Sequence, residues 1–153
     1  MNPITAAHIH LMLSHVPVTI VLLAAGWLAF GLWRQSQEAQ KTALAMLVLA
    51  SLLAVPSYLT GEPASGAIKG VPGFSDRVLE SHQAAAGIAL AGSLALGVAA
   101  LAGLVHFRGR AVVGWFSLLV LLGAIAVGCL VAWTANLGGQ IRHAEIRMEE
   151  APE

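Results

Sequence analysis

Charged residues are scarce in this sequence: they make up 10% of its 153 residues, whereas hydrophobic residues make up 58%. A soluble domain carries about a quarter charged residues, so we expect lipid rather than water around most of the chain. The formal net charge is zero and no block of basic residues is present, which argues against nucleic acid as a partner.

Cysteine and catalytic motifs are also scarce or missing. The one cysteine, Cys129, lies in an apolar run and cannot form an internal disulfide, so it carries no information about the redox compartment. The sequence lacks a nucleophile–base pair, a phosphate-binding loop and a dinucleotide motif, which favours an electron-transfer or accessory protein over a stand-alone enzyme. Its first residues lack the features of a cleaved secretory signal, so we expect the first apolar segment to stay in the membrane.

Long apolar runs are what the sequence does contain, and there are four. A membrane-spanning helix needs about 20 apolar residues, and the runs predict spans at 9–33, 42–60, 79–106 and 112–136, followed by a polar tail at 138–153. Because two of the three connections are short, we predict one all-α domain, a membrane four-helix bundle in up-down-up-down order. The remaining connection, from Gly61 to Ser75, is rich in glycine and proline and is predicted as a loop; its part from Pro63 onward should cover the histidines described below.

The distribution of charge predicts the orientation in the membrane. The two short connections contain one acid, Glu38, and four basic residues: Arg34, Lys41, Arg108 and Arg110. The side that holds both termini is richer in acids than in bases. By the positive-inside rule the short connections are cytoplasmic. Both termini are therefore expected on the outer face of a bacterial inner membrane.

Five of the six histidines fall on the side of the termini: His8, His10, His15, His82 and His143. On the first helix, His8, Met12, His15 and Thr19 recur at the spacing of one helix face, while His10 points roughly the opposite way. At 1.5 Å per residue, His8 and His82 lie at similar heights, and His15 lies deeper. Histidines from three distant segments therefore converge at one membrane face, which predicts a binding site there.

Histidines on facing helices of a membrane bundle are a usual means of holding haem b, with one axial nitrogen from each. The predicted ligands are His8, His15, His82 and His143, supported by Thr19, Asn136, Gln140 and Arg142. We expect His82 to be the least replaceable ligand; equal height favours His8 as its partner, whereas a deeper, drier position favours His15. His10 and His106 fit better as ordinary hydrogen-bonded surface residues.

Two alternatives stay open beside haem b. The same histidines could hold copper or zinc, since imidazole suits both metals. The chain could also be an accessory subunit of a membrane complex without a cofactor. For the haem reading, the expected partners besides the lipid bilayer are a quinone, a periplasmic electron carrier or other membrane subunits.

Three segments carry a resemblance to a known group of proteins. They are His8-x-His10-x-x-x-x-His15-x-Pro17, the stretch from Pro56 to Pro63, and the stretch from Thr134 to His143 that reads TANLGGQIRH. In these segments the sequence resembles a group of uncharacterised bacterial four-helix inner-membrane proteins, and the resemblance extends over essentially the whole chain. It implies four membrane helices and brings no activity with it.

Overall fold

The computed structural model of this chain describes residues 5–143, 146 and 147. It contains four long helices and one short one, and no strand occurs within these residues. The long helices are α1 (Ala6–Trp33), α2 (Gln37–Leu59), α4 (Asp76–His106) and α5 (Gly114–Gln140), and the short helix is α3 (Gly61–Ile68). All four long helices are long and apolar enough to cross a membrane, which confirms the prediction of an all-α membrane bundle.

The helices extend beyond the predicted spans because capping residues lie outside the apolar runs. Ser36 accepts a hydrogen bond from the backbone N–H of Ala39 and starts α2 at Gln37 rather than at residue 42. Ser75 caps α4 in the same way. At its C-terminal end, α5 continues through the Gly138-Gly139 pair to Gln140, so the first residues of the predicted polar tail are helical.

The prediction of a loop from Gly61 to Ser75 is wrong in its first half, where α3 forms. Pro63 is the third residue of α3. The N–H groups of a first helical turn have no partner within the helix, so a proline there costs no hydrogen bond. The loop proper is short, and it turns at two glycines with positive φ, Gly70 and Gly73.

The four long helices pack as a ring, in which α1 and α4 each contact both α2 and α5. Helices α1 and α4 therefore stand diagonally across the bundle, and α3 packs against α1. The core consists mainly of aliphatic side chains, including Leu28, Leu44 and Leu47, which are almost fully buried. Large apolar side chains such as Leu52 and Val98 cover the outer surface, as expected for helices that face lipid.

Polar contacts gather the helix ends into two groups. At one end, called the histidine end, the start of α1 contacts the end of α2 through His10 and Ser57, and the start of α4 contacts the end of α5 through His82 and Thr134. At the other end, called the turn end, Gln37 and Gln40 of α2 bond to the backbone of Val112 and Gly31. The predicted histidine sites on α1 and α4 therefore lie at one end of the bundle.

Candidate histidine site

His10 lies on the inward face of α1. The buried residues of this helix are Pro17, Val21, Ala24, Leu28 and Gly31, and His10 continues their stripe two turns before Pro17. Its ring is half-buried, and its Nδ1 atom lies 3.0 Å from the carbonyl oxygen of Ser57 and 3.1 Å from Oγ1 of Thr60. His10 thus points away from the face of His8 and His15, as the spacing predicts, but it is half-buried rather than an ordinary surface residue.

His82 is held in a similar way at the start of α4. Its Nδ1 atom lies 2.9 Å from the carbonyl oxygen of Thr134 on α5, and the ring is half-buried. The ring rests against Gly138, one turn further along α5. The chain thus fixes one imidazole on α1 against α2, and another on α4 against α5.

His15 is exposed on the outer face of α1. Its Nδ1 atom lies 2.6 Å from the carbonyl oxygen of Leu11 in its own helix. The ring borders a shallow apolar groove with Val16, Thr19 and Ile20. His15 shares this outward face with Met12, which is 73% exposed, so the predicted common face of His8, Met12, His15 and Thr19 points away from the bundle interior.

The hydrogen bonds of His10, His15 and His82 fix the same tautomer. A carbonyl oxygen can only accept, so Nδ1 must carry the proton in all three rings. A neutral imidazole then has its lone pair on Nε2. An Nδ1–H bonded to a backbone carbonyl, with Nε2 left to bind, is the arrangement that metal-ligating histidines commonly adopt.

His8 has the opposite arrangement. It forms a capping box with Thr5, whose backbone N–H and hydroxyl both lie against Nδ1 of His8, with the hydroxyl oxygen at 2.7 Å. Nδ1 is therefore an acceptor, and the proton of the neutral ring belongs on Nε2. His8 is also exposed, so this predicted ligand serves as a helix cap in the structure.

The other predicted site residues lie around the edge of the histidine end. The hydroxyl of Thr19 donates to the carbonyl of His15, and the amide of Gln140 donates to Asn136 at 2.6 Å. Asn136, Arg142 and His143 are exposed. Within the part of the chain that the structure describes, no side-chain hydrogen bond joins Thr19, Asn136, Gln140 or Arg142 to His10 or His82. A supporting role for these four residues stays a prediction.

His10 on α1 and His82 on α4 lie at the same end of the bundle, within electrostatic range of each other. Within residues 5–143 and 146–147, no three side chains of His, Cys, Asp or Glu stand close enough to share one metal ion. The arrangement is therefore one of imidazoles opposed across the bundle rather than clustered around a point.

The loop before α4 is fastened to the chain that follows α5. The backbone N–H of Ser75 donates to the carbonyl of Ile141 at 3.1 Å. The guanidinium of Arg147 donates to the carbonyls of Gln140, Ile141 and Gly73. These bonds hold residues 73–75 beside the end of α5, next to the helix turn that contacts His82, while α3 lies against α1. Whether this segment covers the site, as the sequence predicts, stays a prediction.

His10, the histidine that α1 turns inwards, is not among the ligands predicted from the sequence. Its stripe contains the small residues Ala24 and Gly31 and continues through the buried positions 17, 21 and 28. The stripe through His8 and His15 has no such continuation of buried residues.

The chain matches no family model, and no curated protein or solved structure shows significant similarity to it. The resemblance to bacterial four-helix inner-membrane proteins therefore stays a prediction, and the function has to be argued from the histidine end itself.

Proposed function

We propose that this protein is a small membrane cytochrome that holds haem b between His10 of α1 and His82 of α4. One observation carries the proposal: two imidazoles on diagonally opposed helices are each anchored through Nδ1 to a backbone carbonyl of a neighbouring helix, His10 to α2 and His82 to α5. The anchored tautomer presents Nε2, the nitrogen that would bind iron. The role proposed for the haem is electron transfer, by the protein alone or as part of a membrane redox complex.

The chemistry of haem b fits what these two residues supply. Its iron takes four nitrogens from the porphyrin and needs only two axial ligands from the protein. Copper or zinc would need further protein ligands to reach their usual coordination. Two opposed imidazoles therefore fit haem iron better than either metal ion. The carbonyl of Ser57 or Thr134 orients each ring and leaves its Nε2 to bind.

Glycines lie beside both rings and let each imidazole pack close to a helix backbone. A methyl group added at Gly61 would lie 3.5 Å from Cε1 of His10, and one added at Gly138 would lie 3.1 Å from Cε1 of His82. The exposed cationic side chains of Lys69 and Arg142 belong to the same end and offer charge partners for the haem propionates.

We place the site on the outer side of a bacterial inner membrane, with both termini outside and the helices alternating in direction. The support is the excess of Arg and Lys in the short connections over the single acid there. From the outer side of the membrane, the protein would exchange electrons with a quinone in the bilayer, with a periplasmic carrier or with other membrane subunits.

A haem titration of the detergent-solubilised protein tests the proposal. The wild-type protein should bind haem stoichiometrically and show sharp α and β bands on reduction. His10→Ala and His82→Ala should each weaken binding by at least about tenfold, because each removes an axial nitrogen.

His8→Ala is the matched control, since it removes an exposed histidine of the opposite tautomer on the same helix and should bind within about twofold of wild type. His15→Ala and His143→Ala complete the series. Full haem occupancy in the His82→Ala protein would overturn the proposal, and so would a wild-type protein that binds no haem.

A further inference from the structure

The ring of His82 lies against α5 at Gly138, a position that has no side chain. An ideal Cβ built on Gly138 would lie 3.1 Å from Cε1, 3.4 Å from Nδ1 and 3.9 Å from Nε2 of His82. Three atoms of the His82 ring thus lie within 3.9 Å of the position that a methyl group at residue 138 would occupy. Gly138 is helical, so its backbone conformation does not by itself require glycine.

We propose that Gly138 is a positioning residue for His82: the absence of a side chain at 138 lets the imidazole lie close enough to α5 to keep its Nδ1–H on the carbonyl of Thr134. The expected effect of Gly138 on haem binding rests on the proposed function, whereas its effect on the position and tautomer of His82 does not.

A ring that gives way to a methyl group at residue 138 also changes its distance to the carbonyl of Thr134. Thr134 lies four residues before Gly138, so its carbonyl points along α5 towards residue 138 and accepts that residue's own helical N–H. A carbonyl has two lone pairs, and the second one receives Nδ1–H of His82 at 2.9 Å. A methyl group at 138 would push the ring away from the surface that holds its acceptor, and the hydrogen bond would lengthen.

Lengthening this hydrogen bond changes the tautomer equilibrium of His82 as well as the position of its ring. The Nδ1–H bond to Thr134 holds the tautomer that leaves the lone pair on Nε2. When the bond is weakened, the neutral ring redistributes between its two tautomers, and part of the population carries the proton on the nitrogen that would bind iron.

The neighbouring glycine provides a matched comparison. A Cβ on Gly139 would meet only Cδ1 of Ile146, at an ordinary 3.7 Å. Both glycines lie in the last turn of α5, so Gly138→Ala and Gly139→Ala make the same change in helix propensity. Only the first of them touches the imidazole.

The direct test is ¹⁵N NMR of histidine-labelled protein without haem, at alkaline pH where the rings are neutral. The signals of His82 are assigned by their loss in His82→Ala. In the wild type they should show a protonated Nδ1 and an unprotonated Nε2. Gly138→Ala should move them towards a tautomer mixture, while Gly139→Ala leaves them in place; His82 signals unchanged in Gly138→Ala would overturn the inference.

A double-mutant cycle covers the case in which Gly138→Ala folds poorly. If the methyl group harms the protein through the ring, Gly138→Ala should destabilise the wild type but have little effect in the His82→Ala background. Equal destabilisation in both backgrounds would contradict the inference.

Haem binding is measured separately on the same variants, where Gly138→Ala should bind more weakly than Gly139→Ala. A wild-type protein that binds no haem, together with the expected tautomer change, would defeat the proposed function alone. Unchanged His82 signals would defeat the positioning role alone, whatever the haem titration gives.

Discussion

Gln40 shows at the scale of single residues how a polar side chain is accommodated inside this apolar bundle. The side chain is 3% exposed, and both ends of its amide have partners. The Oε1 atom accepts from the hydroxyl of Ser117 at 2.6 Å, and Nε2 donates to the carbonyl of Gly31 at 3.3 Å. One buried amide thereby joins α1, α2 and α5 at the turn end.

We expect Ser117→Ala to lower the free energy of unfolding by about 1–3 kcal/mol, because it leaves the amide oxygen of Gln40 buried without its donor. Ser81→Ala is the control: Ser81 is exposed and bonds only to the carbonyl of Arg77 in its own helix, so its loss should change stability by less than about 0.5 kcal/mol. Denaturant unfolding in detergent measures both. Equal stabilities for the two variants would contradict this account of Gln40.

Facing explains why the histidines of α1 chosen from the sequence are not the one that the structure turns inwards. A membrane helix is apolar on nearly every side, so hydrophobicity alone does not separate the face that meets lipid from the face that meets other helices. The exposed Met12 and the buried Val21 are both apolar. The small residues Ala24 and Gly31 align with His10 and are buried, but Gly26, also small, is exposed.

At the scale of elements, the loop at 69–75 depends on two glycines that have similar conformations and different surroundings. Gly70 has φ +81° and Gly73 has φ +82°, both in the left-handed region. A Cβ on Gly70 would meet open space, whereas one on Gly73 would lie 2.7 Å from the carbonyl oxygen of Arg142. A residue with a Cβ would be strained in its backbone at both positions, but only at position 73 would the Cβ also clash with another atom.

We therefore expect Gly70→Ala to cost about 1–2 kcal/mol of local stability, from the left-handed conformation of a residue with a Cβ, and Gly73→Ala to cost more. The measurement is hydrogen exchange at the amide of Ser75, which donates to the carbonyl of Ile141. Protection of that amide should fall much further in Gly73→Ala than in Gly70→Ala. Equal loss of protection in the two variants would show that residue 73 does not pack against the chain after α5.

The elements also show what glycine and proline can and cannot predict. Their density between Gly61 and Ser75 predicts a loop, and this holds for Gly70 and Gly73. It is wrong for α3, because a proline in the first turn of a helix is compatible with that helix. The apolar runs predict the long helices correctly, since length and hydropathy suffice for a span, but the caps at Ser36 and Ser75 lie outside those runs.

At the scale of the whole molecule, the turn end has the features of a cytoplasmic membrane boundary. Trp33 and Trp115 are 77% and 65% exposed there, and the guanidinium of Arg34 lies 5.7 Å from the ring centre of Trp33. Tryptophan is enriched where helices leave the hydrocarbon, and basic residues mark the cytoplasmic side. The histidine end should then face outwards.

Reporter fusions test this orientation. A reporter of periplasmic location joined after Glu153 should be active, and the same reporter inserted at the exposed Gly109, in the turn between α4 and α5, should be silent. A cytoplasmic reporter should give the reverse pattern. An active periplasmic reporter at Gly109 would invert the molecule and place the histidine end in the cytosol.

The electron paramagnetic resonance spectrum of the ferric protein tests the assignment of His10 and His82, because it reports the axial ligands of the iron. We expect a low-spin signal typical of two imidazoles in the wild type and in His8→Ala, and its replacement by a high-spin signal in His10→Ala and in His82→Ala. A low-spin signal that survives in either of the last two variants, or a purified protein without haem, would contradict the assignment.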